Sequence, residues 1–195
     1  MFKYVLAAAV AGSVVLSSGC VAFRADKLPA VDFTSAAPVP TKTKVFSRWR
    51  IETKSSLAND QAKAMAAALH KKYFDDAVAA SSCCVLVEGP EGADLVVDGV
   101  AHDENNPAAM IPAFITGFSM FIIPSWATAT IHISADASRG GQVRKYDFTD
   151  SATMVQWLPM IFAMPFVDNP ITAGRKLDEN TYRNLVRQMR VDGLL

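Results

Sequence analysis

Apolar and polar residues alternate over residues 44–52, where the folded part of the chain is predicted to begin. Val45, Trp49 and Ile51 lie on one side of this alternation, and the opposite side carries Lys44, Arg48, Arg50 and Glu52. Successive side chains of a strand point to opposite faces. The pattern therefore predicts a strand with one buried face.

Two amphipathic helices are predicted. The first begins at a Ser55 or Ser56 cap and ends near residue 79, and its apolar stripe comprises Leu57, Ala64, Met65, Ala68, Leu69 and Tyr73. The second begins at Asp178 or Asn180 and ends near Gly193, and its stripe comprises Tyr182, Leu185, Val186 and Met189.

Two β-hairpins are predicted between these helices. The first joins Cys83–Val87 to Asp94–Val100 through a Gly-Pro-Glu-Gly turn, and the second joins Thr128–Asp136 to Val143–Phe148 through Ser-Arg-Gly-Gly. Short strands joined by tight turns favour antiparallel pairing. The expected fold is therefore a single α+β domain over residues 44–195, with a largely antiparallel sheet and two or three helices.

The N-terminal 19 residues have the three-part order of a signal peptide: a charged start at Lys3, an apolar middle and small residues before Cys20. An uncleaved membrane anchor is the alternative, although twelve apolar residues are short for a bilayer span. The run Leu16-Ser17-Ser18-Gly19-Cys20 resembles the lipobox of bacterial lipoproteins, with its large aliphatic residue one place early. This resemblance covers only the N-terminus.

The lipobox resemblance implies cleavage before Cys20 and acylation of that cysteine, which would make the membrane a partner. Several acyl chains hold a protein durably where one holds weakly. Residues 20–43 contain three prolines and no apolar period, so they are expected to form a lipidated, flexible tether. Val21 stands where an aspartate tends to retain lipoproteins in the inner membrane. The resemblance therefore implies the outer membrane, facing the periplasm.

Charge and cysteine content narrow the class of protein further. Lys plus Arg and Asp plus Glu both number 19, which argues against nucleic acid as a partner. Cys83 and Cys84 are adjacent in a compartment where disulfides can form. They are either two small strand residues on opposite faces, a vicinal disulfide, or one side of an intermolecular bridge.

Catalytic chemistry is not indicated. Asp98 and His102 share a strand face and His132 follows later, but a third close ligand is missing, so no metal site and no cofactor are predicted. Gly117–Phe121 lacks the second glycine of a hydrolase elbow. No catalytic residue is assigned, and the protein is expected not to be an enzyme.

Three arginines of the last helix, Arg183, Arg187 and Arg190, are a possible anion contact, because guanidinium groups bind phosphates well. The alternative is a solvated helix face, since Glu179 lies one turn before Arg183 and can offset its charge.

Two stretches without charge, residues 108–127 and 151–167, are the most unusual part of the sequence. They can be buried in the core, contact a membrane surface or partner, or cross the bilayer as a helical hairpin. The residues singled out for membrane or partner contact are Phe114, Phe118, Phe121, Trp126, Trp157 and Phe162.

Together these features predict a membrane-anchored cell-envelope lipoprotein with a structural or accessory role, binding another envelope protein. The alternative is an envelope lipid- or glycan-binding protein or enzyme that uses the apolar stretches and the C-terminal arginines.

Overall fold

The computed structural model describes residues 20–34, 41–53, 59–103 and 110–195. Its helices are α1 (Asp60–Ala80), α2 (Met110–Phe118) and α3 (Pro170–Val191), with two short 3-10 helices, Pro90–Gly92 and Leu158–Phe162. Its strands are β1 (Cys20–Arg24), β2 (Thr43–Thr53), β3 (Cys84–Leu86), β4 (Leu95–Asp103), β5 (Ser125–Arg139) and β6 (Gln142–Gln156). The fold is α+β, as predicted.

The six strands form one sheet in the order β1-β6-β5-β4-β2-β3. β4 pairs antiparallel with β5 and β1 antiparallel with β6, whereas β2 runs parallel to both β3 and β4. The predicted first hairpin is therefore wrong, because β2 lies between β3 and β4. The segment that contains the 3-10 helix Pro90–Gly92 joins β3 to β4 on the other side of β2, instead of forming a tight hairpin turn.

The second predicted hairpin is present and longer than expected, since β5 and β6 have 15 residues each. Gly140 and Gly141, which join them, have φ of +57° and +82°. A two-residue hairpin turn with both φ positive matches the right-handed twist of its strands, and glycine adopts it without a steric penalty.

The chain divides into two compact units. Within the described residues, unit 1 comprises 20–25, 110–129 and 152–175, and unit 2 comprises 26–34, 41–53, 59–103, 130–151 and 176–195. In unit 2 the rings of Trp49, Phe74 and Tyr182 pack together between sheet and helices, with Trp49 centred 5.6 Å from Phe74 and 4.9 Å from Tyr182. Gly99 on β4 leaves the space that the Trp49 ring fills.

Helix α3 buries the stripe predicted for it, since Tyr182, Leu185, Val186 and Met189 are fully buried. It begins at Pro170, however, eight or more residues before the predicted start. Proline suits a first helical turn, where its missing N–H would have had no partner.

Helix α1 differs from its prediction. Its cap is Asn59, whose side-chain oxygen accepts a hydrogen bond from the Ala62 N–H at 2.7 Å, while the predicted caps Ser55 and Ser56 lie outside the described residues. Met65 and Leu69 of the expected stripe are exposed. The buried side chains come from its last two turns and are Phe74, Ala77 and Val78.

The N-terminal segment also differs from the predicted tether. Cys20–Arg24 pairs with β6, and the Val31 side chain is buried. Asn184 on α3 donates to the Pro29 carbonyl at 2.9 Å, and the Lys27 N–H donates to Asp150. Residues 20–34 therefore belong to the fold, because the sheet and α3 satisfy their backbone groups. The domain boundary predicted at residue 44 leaves out this edge strand.

Candidate functional site

Unit 1 concentrates exposed apolar side chains. Of the twenty large hydrophobic side chains exposed in the described residues, fourteen belong to unit 1. We call these fourteen the apolar set: Phe23, Ile111, Phe114, Ile115, Phe118, Met120, Ile122, Ile123, Trp126, Trp157, Leu158, Phe162, Phe166 and Ile171. Each such side chain gains about 1.5–3 kcal/mol on leaving water. An apolar surface of this kind marks a site of contact with another phase or molecule.

Helix α2 buries a polar side chain and exposes apolar ones, the reverse of the usual arrangement in a globular protein. Among the residues of α2 whose burial is described, 111–118, the fully buried side chain is that of Thr116, whose hydroxyl donates to the Pro112 carbonyl at 3.0 Å. Phe114 and Phe118 are exposed, the latter to 96%. A helix built to pack on a core would bury its rings. The reading of residues 108–127 as core is therefore wrong for these side chains.

Helix α2 ends in a backbone turn that is closed by two hydrogen bonds. The Phe121 N–H donates to the Thr116 carbonyl at 2.8 Å and the Met120 N–H to the Gly117 carbonyl at 3.1 Å. This pair of bonds is a Schellman motif, in which glycine usually follows the helix. Here Met120 and Phe121 take φ of +54° and +64°, a conformation that costs side-chain-bearing residues about 1–3 kcal/mol.

The two apolar stretches lie side by side in unit 1. The Leu158 N–H donates to the Phe121 carbonyl at 2.9 Å, and the Ser125 hydroxyl donates to the Gln156 side chain at 3.4 Å. Residues 108–127 contribute the nine-residue α2 and the start of β5, and residues 151–167 contribute the end of β6 and a 3-10 helix. Among the described residues, no helix combines the length and hydropathy that a bilayer crossing requires.

Cys20 belongs to the same unit. It is the first residue of β1 and pairs with Gln156, directly before Trp157 and the 3-10 helix. Partial burial raises the pKa of its thiol. The sheet pairing places residue 20 about 4.8 Å from the β6 backbone, so no linker separates it from the apolar set.

In unit 2 the sheet carries polar side chains that line a pocket of about 910 Å³. Its lining includes cations and anions together: Arg48, Arg50, Asp98, Asp136, Lys145 and Asp147. Arg48 donates to both Asp98 carboxylate oxygens, at 2.6 and 2.9 Å, and both side chains are largely exposed. Solvent-exposed pairs contribute about 0–1 kcal/mol. The arrangement offers polar recognition without a dominant charge.

Two histidines stack beside this pocket. His102 on β4 faces His132 on β5, with ring centroids 4.5 Å apart. His102 lies 3.4 Å from a Glu52 oxygen, and His132 lies 2.9 Å from Asp147. Asp98 shares their face but is held by Arg48. Within the described part of the chain, no three histidine, cysteine or carboxylate side chains are grouped as metal ligands.

The three C-terminal arginines have different environments. Arg183 donates to the Val31 carbonyl at 3.3 Å and faces Asp76 and Glu179 in a small cleft. Arg187 is exposed, and Arg190 is half-buried in the last turn of α3. Arg183 therefore helps to hold the N-terminal segment on the helix.

Cys83 and Cys84 are bonded to each other as a vicinal disulfide at the junction of α1 and β3. Both side chains are buried, and the Ser81 hydroxyl lies 3.0 Å from the Cys83 sulfur. Of the three alternatives for this pair in the sequence, the structure contains the vicinal bond.

We expect both cysteines to resist alkylation in the denatured protein until a reductant is added, because neither sulfur is a thiol. The measurement is mass spectrometry of the peptide that contains them, with and without prior reduction. Cys83→Ser serves as the control, since it leaves Cys84 free and labelled without reductant. Labelling of the unreduced wild-type peptide would contradict the assignment.

The structure brings the six sequence-predicted contact residues together in unit 1. Five of them are exposed, and Phe121 is half-buried. Sequence reasoning missed nine members of the apolar set. Phe23 and Ile171 lie outside the two uncharged stretches, and the other seven lie within them: Ile111, Ile115, Met120, Ile122, Ile123, Leu158 and Phe166. The signal that could have found those seven is the same absence of charge over residues 108–127 and 151–167.

Comparisons with known proteins do not assign a family. No protein-family model matches the chain, and no curated protein matches it. Among solved structures, an uncharacterized protein matches with 8% identity and a TM-score of 0.40, over 79% of this chain and 95% of its own. The PelC dodecamer from Paraburkholderia phytofirmans matches with 9% identity and a TM-score of 0.35, over 84% and 95%.

A candidate lipoprotein from Caulobacter crescentus CB15 matches with 14% identity and a TM-score of 0.30, over 73% of this chain and 86% of its own. With TM-scores below 0.5, these likenesses add no weight to an assignment of function.

Proposed function

We propose that this protein is a cell-envelope lipoprotein, anchored by acyl chains on Cys20, with a structural or accessory role toward another envelope component. The observation that carries the proposal is the position of Cys20. This residue ends the run that resembles a lipobox and also begins β1, in the unit that bears the apolar set. Attachment at this point holds the folded chain directly at a bilayer.

The proposed location is the outer membrane, on its periplasmic side, because Val21 follows the acylated cysteine. The proposed role is not enzymatic. The polar pocket of unit 2 supports a partner-binding role, since its mixed charges suit recognition of a polar surface.

Acylation is tested by mass spectrometry of the N-terminal peptide of the protein purified from its own membranes. We expect a peptide that begins at residue 20 and carries acyl chains, and we expect Cys20→Ser to lack them. The control is the double variant Cys83→Ser, Cys84→Ser, which should remain acylated. A wild-type peptide with an unmodified Cys20, or a chain that retains Met1, would rule the anchor out.

The accessory role is tested by photocrosslinking in intact cells, with a photoreactive amino acid placed at Ser134 in one variant and at Lys145 in another. The expected result is one identified envelope protein captured from both positions and lost when Arg48 is replaced by glutamate. A control position at the exposed Gln61 on α1 should not capture it. Capture of the same protein from all three positions would remove the support that this pocket gives to the role.

A further inference from the structure

We infer that the apolar set of unit 1 inserts into the same membrane leaflet that holds the acyl chains of Cys20. The protein would then be attached by a folded surface as well as by its lipid. This inference rests on the proposed function, because the acyl chains identify the bilayer as the occupant of the surface.

The first argument is the distance between the anchor and the apolar set. Cys20 is paired with Gln156 in the sheet, and Trp157 and the 3-10 helix Leu158–Phe162 follow at once. Neighbouring strands are about 4.8 Å apart. A bilayer entered by the acyl chains at Cys20 is therefore within reach of Trp157 and Phe162, the latter 82% exposed.

The second argument is charge. The charged residues of unit 1 within its described part are Arg24, Asp168 and Arg175, and each of them interacts with another group. Ionic side chains are costly to bring into hydrocarbon. Their scarcity means that this unit can approach the acyl region without stripping water from unpaired charges.

The third argument is the kind of side chain exposed. Phe118, Ile122 and Phe166 are large and purely apolar, while Trp126 and Trp157 carry one polar N–H each. Tryptophan favours the boundary between headgroups and acyl chains, and phenylalanine and isoleucine favour the region below it. Both kinds occur in one unit, as insertion to a shallow depth requires.

The bilayer is favoured over a second copy of the chain because acylation already places hydrocarbon beside this unit. A protein partner on the same side chains would have to exclude the lipid that Cys20 brings there. Self-association through the apolar set is therefore the competing outcome of the test.

The first experiment uses the acylated protein reconstituted into phosphatidylcholine vesicles with brominated acyl chains. Bromine quenches tryptophan fluorescence on contact. We expect quenching of Trp126 and Trp157 relative to vesicles of unbrominated lipid. The variant that retains only Trp49, which is buried in unit 2, should show none. Unquenched Trp126 and Trp157 in the membrane-attached protein would overturn the inference.

The second experiment separates insertion from acylation. The mature chain from residue 20, with Cys20→Ser, is floated with vesicles of phosphatidylethanolamine and phosphatidylglycerol, and its fold is checked by circular dichroism. We expect binding that persists in high salt, because apolar contact is not screened. Replacing Phe118 and Phe162 together by serine should lower the partition coefficient by about a hundredfold, since each buried ring contributes roughly tenfold or more.

The matched control replaces Met65 and Val191 together by serine. These side chains are similarly exposed but belong to unit 2. This variant should bind vesicles like its parent. Equal losses in both double variants, or no vesicle binding by the folded parent, would overturn the inference. So would a concentration-dependent oligomer, seen by sedimentation, that Phe118→Ser dissociates. None of these results bears on whether Cys20 is acylated, which the mass of the N-terminal peptide decides separately.

Discussion

Replacing Gly99 by alanine is expected to lower the free energy of unfolding by about 2–3 kcal/mol. A Cβ at this position would collide with the Cε3 and Cζ3 atoms of Trp49. The indole cannot retreat, because Phe74 and Tyr182 pack against it and are themselves fully buried. Overpacking of this kind forces the backbone or the rotamers to shift. Chemical denaturation of the folded protein measures the loss.

Gly92→Ala is the matched control, since a Cβ there meets no atom within 4 Å. Its effect should stay within about 0.5 kcal/mol. In a Trp49→Leu background the Gly99→Ala substitution should cost much less, which gives a favourable coupling energy in a double-mutant cycle. Equal costs for Gly99→Ala and Gly92→Ala would contradict the close packing of indole on β4.

Asp178→Asn is expected to stabilise the protein by roughly 2–4 kcal/mol at pH 8 and to have little effect near pH 3.5. Burial on α3, with a smaller contribution from neighbouring Glu179, raises the pKa of Asp178 from 3.8 to about 7. The folded protein therefore keeps this proton when the unfolded chain has released it. Stability is lost as the pH rises from about 4 to about 7, and asparagine removes this loss because it does not ionise.

The measurement is the free energy of unfolding of wild type and Asp178→Asn across this pH range. Glu91→Gln, an exposed carboxyl of unit 2, serves as the control and should follow the wild-type profile. A constant difference between Asp178→Asn and wild type at every pH would show that packing, and not the proton, distinguishes them.

The local periodicity of the chain predicted the elements whose partners follow from their own pattern. The stripe from Tyr182 to Met189 is buried as expected, because helical spacing places these residues on one side whatever lies opposite. The β5–β6 hairpin follows from its two glycines. In each case the information lies within a few residues.

Elements whose partners are distant were predicted less well. The strands near Cys83 and Asp94 are present, but no local signal shows that β2 comes between them. The stripe at Met65 and Leu69 is apolar and yet exposed. The α1 residues that are buried follow from which part of the helix reaches the sheet, and that depends on tertiary packing.

Part of the candidate site could be predicted from the sequence. Absence of charge identified both apolar stretches and six of their residues. It could not decide between core and surface, because a buried residue and a lipid-facing residue have the same composition. The burial of Thr116 in place of Phe118 decides that question, and it depends on the orientation of α2.

The position of β1 at one edge of the sheet has a consequence for biogenesis. If the chain is cut before Cys20 and acylated there as proposed, the enzymes involved must reach the backbone and sulfur of this residue, and its pairing with Gln156 in the sheet restricts that access. β1 can therefore join β6 only after those enzymes have finished. Until then β6 presents an open edge, which is prone to pair with other chains. Lipid attachment would thus be the step that permits the final strand to close the sheet.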